Sequence, residues 1–164
     1  MKIRILAQNS TTTLLIAFLY LFLLTPLYAK TQPKFTLTPT TATTATISAS
    51  QTLSVVYRVT NKTNITRQLT MTPLLGVTQL TSGANVCSNP FVLAHNESCL
   101  LSLSIAGSNL PITSGPVICK TKGPHENTPD PFLCSQPSEE DRLQITLGYS
   151  RSYALTAPKN CGFM

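Results

Sequence analysis

Hydrophobic and polar residues alternate most regularly in two stretches of this chain. In Gln51 to Thr60, Leu53, Val55, Tyr57 and Val59 alternate with Thr52, Ser54, Val56, Arg58 and Thr60. In Cys99 to Ile105, Cys99, Leu101, Leu103 and Ile105 fall on one face, and Leu100, Ser102 and Ser104 on the other. A period of two is the mark of a strand with one buried face. The second stretch is preceded by Cys87, an apolar triplet from Phe91 to Leu93 and a turn at Asn96-Glu97. Cys87 to Ile105 is therefore the segment around which the rest of the chain is organised.

Shorter patterns flank these two. Phe35 and Leu37 alternate with Thr36 and Thr38, and Pro39 ends the run, which suits an edge strand. Thr40 to Thr46 is low in complexity and reads as a loop or a loosely packed edge. Asn61-Lys62-Thr63-Asn64 is a turn. Arg67 to Leu74, with Leu69 and Met71 inward, is expected to return from it and complete a Gln51-to-Leu74 hairpin. Val77 to Leu80 and Val117 to Lys120 are short strands. Asp141 to Leu147 carries Leu143, Ile145 and Leu147 on one face. Thr121 to Glu140, with Pro124, Pro129, Pro131 and Pro137, reads as a long connection of the kind that is functional or disordered. About seven short strands, with turn signals roughly every 8–12 residues, fit an all-β chain folded as an antiparallel β-sandwich.

The N-terminus has a different pattern. Lys2 and Arg4 precede the unbroken apolar run Leu14 to Leu24, Thr25-Pro26 breaks it, and Ala29 offers a small residue for cleavage. This is the arrangement of a secretory signal peptide, apolar helix included. The alternative is an uncleaved anchor using Thr11 to Ala29, which would be the chain's one membrane contact. The chain thus divides into a signal peptide (1–29), a Thr/Pro-rich edge segment (30–50), a β-sandwich (51–148) and a C-terminal tail (149–164).

Composition narrows the picture. Only 11% of the 164 residues are charged, against about 25% in ordinary domains, so the surface is polar through Thr, Ser, Asn and Gln. Twelve prolines argue against long helices. The twelve lysines and arginines, less Lys2 and Arg4, leave ten against six acidic residues, a net charge of about +4. They are scattered along the chain without interleaved aromatics. That excludes a nucleic-acid footprint and leaves weak affinity for anionic surfaces at most.

Five cysteines in an exported chain imply disulfides, with one thiol left over. Pairing sequence neighbours joins Cys87 to Cys99 and Cys119 to Cys134. Each bridge then closes a loop of about 13–16 residues, worth on the order of 3 kcal/mol in the chain-entropy account. Four cysteines allow three pairings, and the spacing does not choose among them. Cys161, close to the C-terminus, is the natural leftover, as a free thiol or as the link of a disulfide-bonded dimer.

Candidate chemistry is thin. Cys161 with His95 or His125 could form a nucleophile pair, but a chain tail lacks the rigid support a site needs. Cys119, His125 and Cys134 lack the close ligand pair of a structural zinc site. Glu139-Glu140-Asp141 reads as a solvated turn before a strand rather than a calcium corner. Asn61, Asn64 and Asn96 head N-glycosylation triplets, a frequent chance match in a Thr-rich chain. No hydrolase, zincin, P-loop or dinucleotide motif is present. No catalytic residue, cofactor or metal is assigned, and the chain is read as a non-enzyme.

The succession Leu53-Ser-Val-Val-Tyr-Arg-Val-Thr-Asn61, then Ile65 to Leu69, then Cys87 and Phe91 to Ile105 resembles bacterial immunoglobulin-like domains of the choice-of-anchor and ASPM/SPD-2/Hydin type. There a V-x-V-T-N strand precedes a hairpin, and a cysteine pairs with a second one just ahead of an L-x-V/I strand. Gly115 to Cys119 and Cys134 to Thr146 are similar to the cysteine-containing continuation found in short secreted proteins of intracellular Gram-negative bacteria. The resemblance implies an immunoglobulin-like sandwich and an adhesive or scaffolding role. The expected function is an exported binding module, whether adhesin-like, envelope-associated or an effector accessory protein, acting on an unknown protein or surface partner. Thr121 to Glu140 is its expected contact surface. The alternative is a structural or chaperone-like envelope component that donates or accepts a strand.

Overall fold

The computed structural model describes residues 33–148, so the signal segment and Cys161 lie outside the described residues. Ten strands follow in order: β1 (Phe35–Pro39), β2 (Thr44–Ile47), β3 (Thr52–Asn61), β4 (Arg67–Met71), β5 (Val77–Leu80), β6 (Phe91–Leu93), β7 (Ser98–Ala106), β8 (Ile118–Thr121), β9 (Pro129–Ser135) and β10 (Gln144–Leu147). Short 3₁₀ turns at Gly107–Asn109 and Glu139–Asp141 are the helical segments among the described residues. The described residues are all-β, and the two larger sheets are antiparallel.

The first sheet has the order β1-β3-β7-β5. Its centre is the pairing of the two alternating stretches, with Val55 opposite Leu103, Tyr57 opposite Leu101 and Val59 opposite Cys99. Opposite residues on an antiparallel pair share a face, so the apolar sets of β3 and β7 coincide. Val55, Tyr57, Val59, Leu101, Leu103 and Ile105 are fully buried. β1 adds to the outer side of β3, with Phe35 opposite Asn61 and Leu37 opposite Val59. As an edge strand it tolerates Pro39, whose missing amide breaks no ladder bond.

The second sheet has the order β6-β4-β8-β9 and buries Leu69, Met71, Phe91, Leu93 and Ile118. Buried side chains of both four-stranded sheets belong to one hydrophobic cluster. A parallel pair, β2 with β10, adds Ile145 to that cluster, and Ile112 bridges to Ile145 from the other side. Tyr57 reaches across the core to donate its hydroxyl to the Asp141 carbonyl at 2.8 Å. Burial, and secondarily the Asp141 carboxylate, push its phenol well above the ordinary tyrosine range.

The structure corrects the expected Gln51-to-Leu74 hairpin. β3 pairs with β1 and β7, whereas β4 pairs with β6 and β8 in the other sheet. The cause is Asn61. Its Nδ2 donates to the Ile65 and Leu93 carbonyls, both at 2.9 Å. Its Oδ1 accepts from the Thr63 amide at 2.9 Å and from the Thr63 hydroxyl at 2.6 Å. This side-chain-built turn carries the chain to the second sheet instead of folding it back on β3. The strand count also exceeds seven, because β2, β6 and β9 are short or proline-bearing. β9 lies inside Thr121 to Glu140, so that segment is not a continuous loop.

Candidate functional site

Thr121 to Glu140 begins where β8 ends, and polar contacts fix its path. The Thr121 hydroxyl donates to the Gly123 carbonyl at 3.0 Å, and the Lys122 amide to the Thr128 carbonyl at 2.9 Å. His125 takes a positive φ of 66°, a left-handed turn conformation in which His is comparatively frequent. Gln68 on β4 then grips the turn from both ends. Its Oε1 accepts from the His125 amide at 3.3 Å, and its Nε2 donates to the Glu126 carbonyl at 3.2 Å. Thr70, also on β4 and buried, contacts the side chains of Asn127 and Asn89. These contacts lay the turn across the face of β4 that points away from Leu69 and Met71.

The chain returns as β9, antiparallel to β8, with Cys119 directly opposite Cys134. The two are disulfide-bonded, Cα to Cα 4.0 Å. The register shifts between Cys119 and Thr121, which lets the strand accommodate Pro129 and Pro131 at the edge of the sheet. At the far end the Ser135 hydroxyl accepts from the Phe35 amide at 3.2 Å, tying β9 to β1 of the first sheet. Between these anchors Phe132 stands 94% exposed, with its amide donating to Asp130 Oδ1 at 3.1 Å. A nearly naked phenyl ring on a strand fixed by a disulfide and a cross-sheet hydrogen bond is the most conspicuous apolar feature of this surface.

The organising stretch is held in a comparable way. Cys87 bonds to Cys99, Cα to Cα 5.2 Å. The Cys87 amide donates to Leu100 O at 2.9 Å, and the Leu100 amide to Asn85 O at 2.7 Å. The turn at Asn96 has a φ of 59°. Glu97 closes it by accepting from the Ala94 amide through Oε2 at 2.7 Å.

The remaining chemical candidates are not brought together. His95 is exposed, and its Nδ1 lies 2.9 Å from the Thr63 carbonyl. His125 belongs to the turn over β4, and Cys161 lies outside the described residues. Cys119 and Cys134 are bonded to each other, so neither presents a thiolate to zinc. Among the described residues no group of three or more His, Cys, Asp or Glu is placed to hold a metal ion. Glu139-Glu140-Asp141 forms a 3₁₀ turn in which Asp141 Oδ2 accepts from the Ser138 hydroxyl at 2.6 Å. Asn61 is fully buried and engaged through both side-chain atoms, so the first glycosylation triplet is closed to modification.

Sequence reasoning missed three residues that shape this surface: Gln68, Thr70 and Phe132. Gln68 and Thr70 act on positions more than fifty residues away, which no local pattern reports. Phe132 sits between prolines in a stretch without periodicity. No protein-family model matches the chain, and no curated protein matches it. Among the described residues no helix is long and apolar enough to cross a membrane. Two intrachain disulfides are the pattern of an oxidising compartment.

Proposed function

We propose that this chain is an exported, non-enzymatic, immunoglobulin-like β-sandwich that works by binding a protein or surface partner, with the segment 121–140 as its contact surface. The observation that carries the reading is Phe132, 94% exposed on an edge strand that is itself braced by Cys119–Cys134 and by Ser135. Exposed aromatics on rigid supports are what binding surfaces use, because little side-chain entropy is lost on contact. Two antiparallel sheets sharing one core support the sandwich part of the reading, and the disulfides support the exported part.

Strand addition at this edge is the less favoured mode. Pro129 and Pro131 lack amide donors, and prolines on an edge discourage pairing with another chain. Phe35 and Leu37 are buried and already paired to β3, so that segment is not available for donation. Recognition is therefore assigned to side chains around Phe132 rather than to main-chain augmentation.

A photo-crosslinking residue placed at Phe132 in producing cells tests this. The expected result is a discrete adduct that is absent when the same residue replaces Leu75, which is 82% exposed elsewhere. Equal capture at both positions, or none at Phe132, overturns the assignment.

A further inference from the structure

The basic residues look scattered in sequence, yet three of them meet. A groove of about 220 Å³ is lined by Arg67 from β4 and by Lys120 and Lys122 from β8 and the turn after it, with Thr66 and Gly123 completing its rim. In the antiparallel β4–β8 register Leu69 lies opposite Lys120. Arg67 stands two residues before Leu69 on β4 and Lys122 just past the end of β8, and all three cations line the one groove. Like charges gathered around one groove repel each other. The Arg67 Nε is moreover buried without a hydrogen-bond partner, and a buried guanidinium N–H left unpaired carries a desolvation penalty. The nearest carboxylate on the turn is Glu126, whose Oε1 would lie 3.1 Å from a Cβ built at Gly123.

We infer that this groove is a binding site for a tetrahedral oxyanion, a phosphate or sulfate group. Such a group relieves the repulsion among the three cations and gives the Arg67 guanidinium an acceptor matched to its planar fork. The two lysines supply point charges from β8 and the turn after it, and Thr66 lines the groove beside Arg67. The same chemistry is presented by a free inorganic ion and by a sulfate ester on a carbohydrate. The site is separate from Phe132 and does not depend on the contact role proposed for that residue.

The test is a titration of the purified, isotope-labelled protein with inorganic phosphate, inorganic sulfate and a sulfated monosaccharide, with chloride at matched ionic strength as control. The expected result is saturable movement of the Thr66, Gln68, Thr121 and Gly123 amide signals with the oxyanions and not with chloride. Tighter binding of the sulfated sugar than of inorganic sulfate identifies the ester as the source; equal binding identifies the free ion. Arg67→Gln weakens binding about tenfold, as expected for loss of one charge-assisted contact. Lys122→Gln, at an exposed position that leaves folding intact, weakens it in the same direction, and Glu126→Gln tightens it. Movement shared with chloride, or variants that titrate like the wild type, overturns the site.

Discussion

Asn61 at the end of β3 and Leu93 in β6 are joined by a single 2.9 Å hydrogen bond, from the Asn61 amide nitrogen to the Leu93 carbonyl, and that bond links the two large sheets. The main chain of Asn61 extends the link. Its amide donates to Glu97 O at 3.1 Å and its carbonyl accepts from the Asn96 amide at 2.8 Å. A fully buried side chain with donor and acceptor both satisfied holds the sheets in one relative position. Replacing it removes the side-chain donor to the Leu93 carbonyl, while the Ile65 carbonyl keeps the Thr63 hydroxyl within 2.9 Å. Asn61→Ala is expected to lose roughly 1–3 kcal/mol, the scale of an unpaired buried polar group, and Asn61→Asp at least as much, because a carboxylate cannot donate. The exposed Asn64→Ala is the control, expected within about 0.5 kcal/mol of wild type. Denaturant unfolding measures all three, and an Asn61→Ala protein as stable as the control would show that the link is dispensable.

Gly107 occupies a second close approach. A Cβ built there would collide with the Ser48 carbonyl oxygen and lie 2.9 Å from that of Gln51. Both are backbone atoms, and Gln51 O also accepts the Gly107 amide at 2.9 Å. Neither can rotate aside as a side chain would. Gly107→Ala is expected to lose about 1–3 kcal/mol through overpacking, read as a lower thermal midpoint. An unchanged midpoint would mean that the loop between β2 and β3 gives way freely.

How far these features were legible in sequence depends on how local their causes are. β3 and β7 were readable because each has one wet and one dry face, so burial is written as a period of two. β1 was readable for the same reason, with Pro39 marking its end. The partner of β3 was not readable. Alternation says which way side chains point but not which strand lies alongside, and the rerouting depends on contacts from Asn61 to Ile65 and Leu93. β9 was hidden because it is an edge strand with Ser135 as its one buried residue, so it has no apolar period and two prolines. The groove was hidden because Arg67 and Lys120 are distant in sequence and meet only through the β4–β8 register.

The Cys87–Cys99 bridge ties the segment ahead of β6 to the start of β7, one of the two central strands of the first sheet. Cys87 is itself almost completely buried within the hydrophobic cluster. Cys99→Ser is therefore expected to lose about 2–5 kcal/mol, the usual range for a native bridge in a small domain. Thermal unfolding of the oxidised proteins checks it. A variant whose midpoint matches wild type would indicate that the Cys87 N to Leu100 O and Leu100 N to Asn85 O hydrogen bonds hold this junction unaided.

Two phenylalanines separate folding from binding. Phe91 is 3% exposed and Phe132 is 94% exposed. Phe91→Ala is expected to lose about 3–5 kcal/mol, from transfer and cavity terms together. Phe132→Ser is expected to stay within about 0.5 kcal/mol of wild type, since its ring buries almost nothing in the fold. Phe132→Ser should also lose the partner contact that a crosslinker at that position captures. Strong destabilisation by Phe132→Ser would instead assign the ring a role in holding β9.

Tyr57 gives the fold a pH dependence whose sign follows from its environment. Burial first, and the Asp141 carboxylate second, raise its phenol above the ordinary value of 10.0. Above that ordinary value an unfolded chain releases the Tyr57 proton while the folded chain keeps it. The unfolded state then binds fewer protons, so stability is fully present below about pH 10 and falls as pH rises beyond it. Tyr57→Phe removes this dependence along with the hydroxyl's hydrogen bond to the Asp141 carbonyl. It is expected to lose about 1 kcal/mol at neutral pH, the typical net worth of one hydrogen bond. The deficit should then shrink as pH rises past 10, because only the wild type has a phenol to ionise on unfolding. Denaturant unfolding of both proteins on either side of that pH provides the comparison. A deficit that stays constant or widens would show that the Tyr57 phenol ionises in the folded protein as readily as in the unfolded chain.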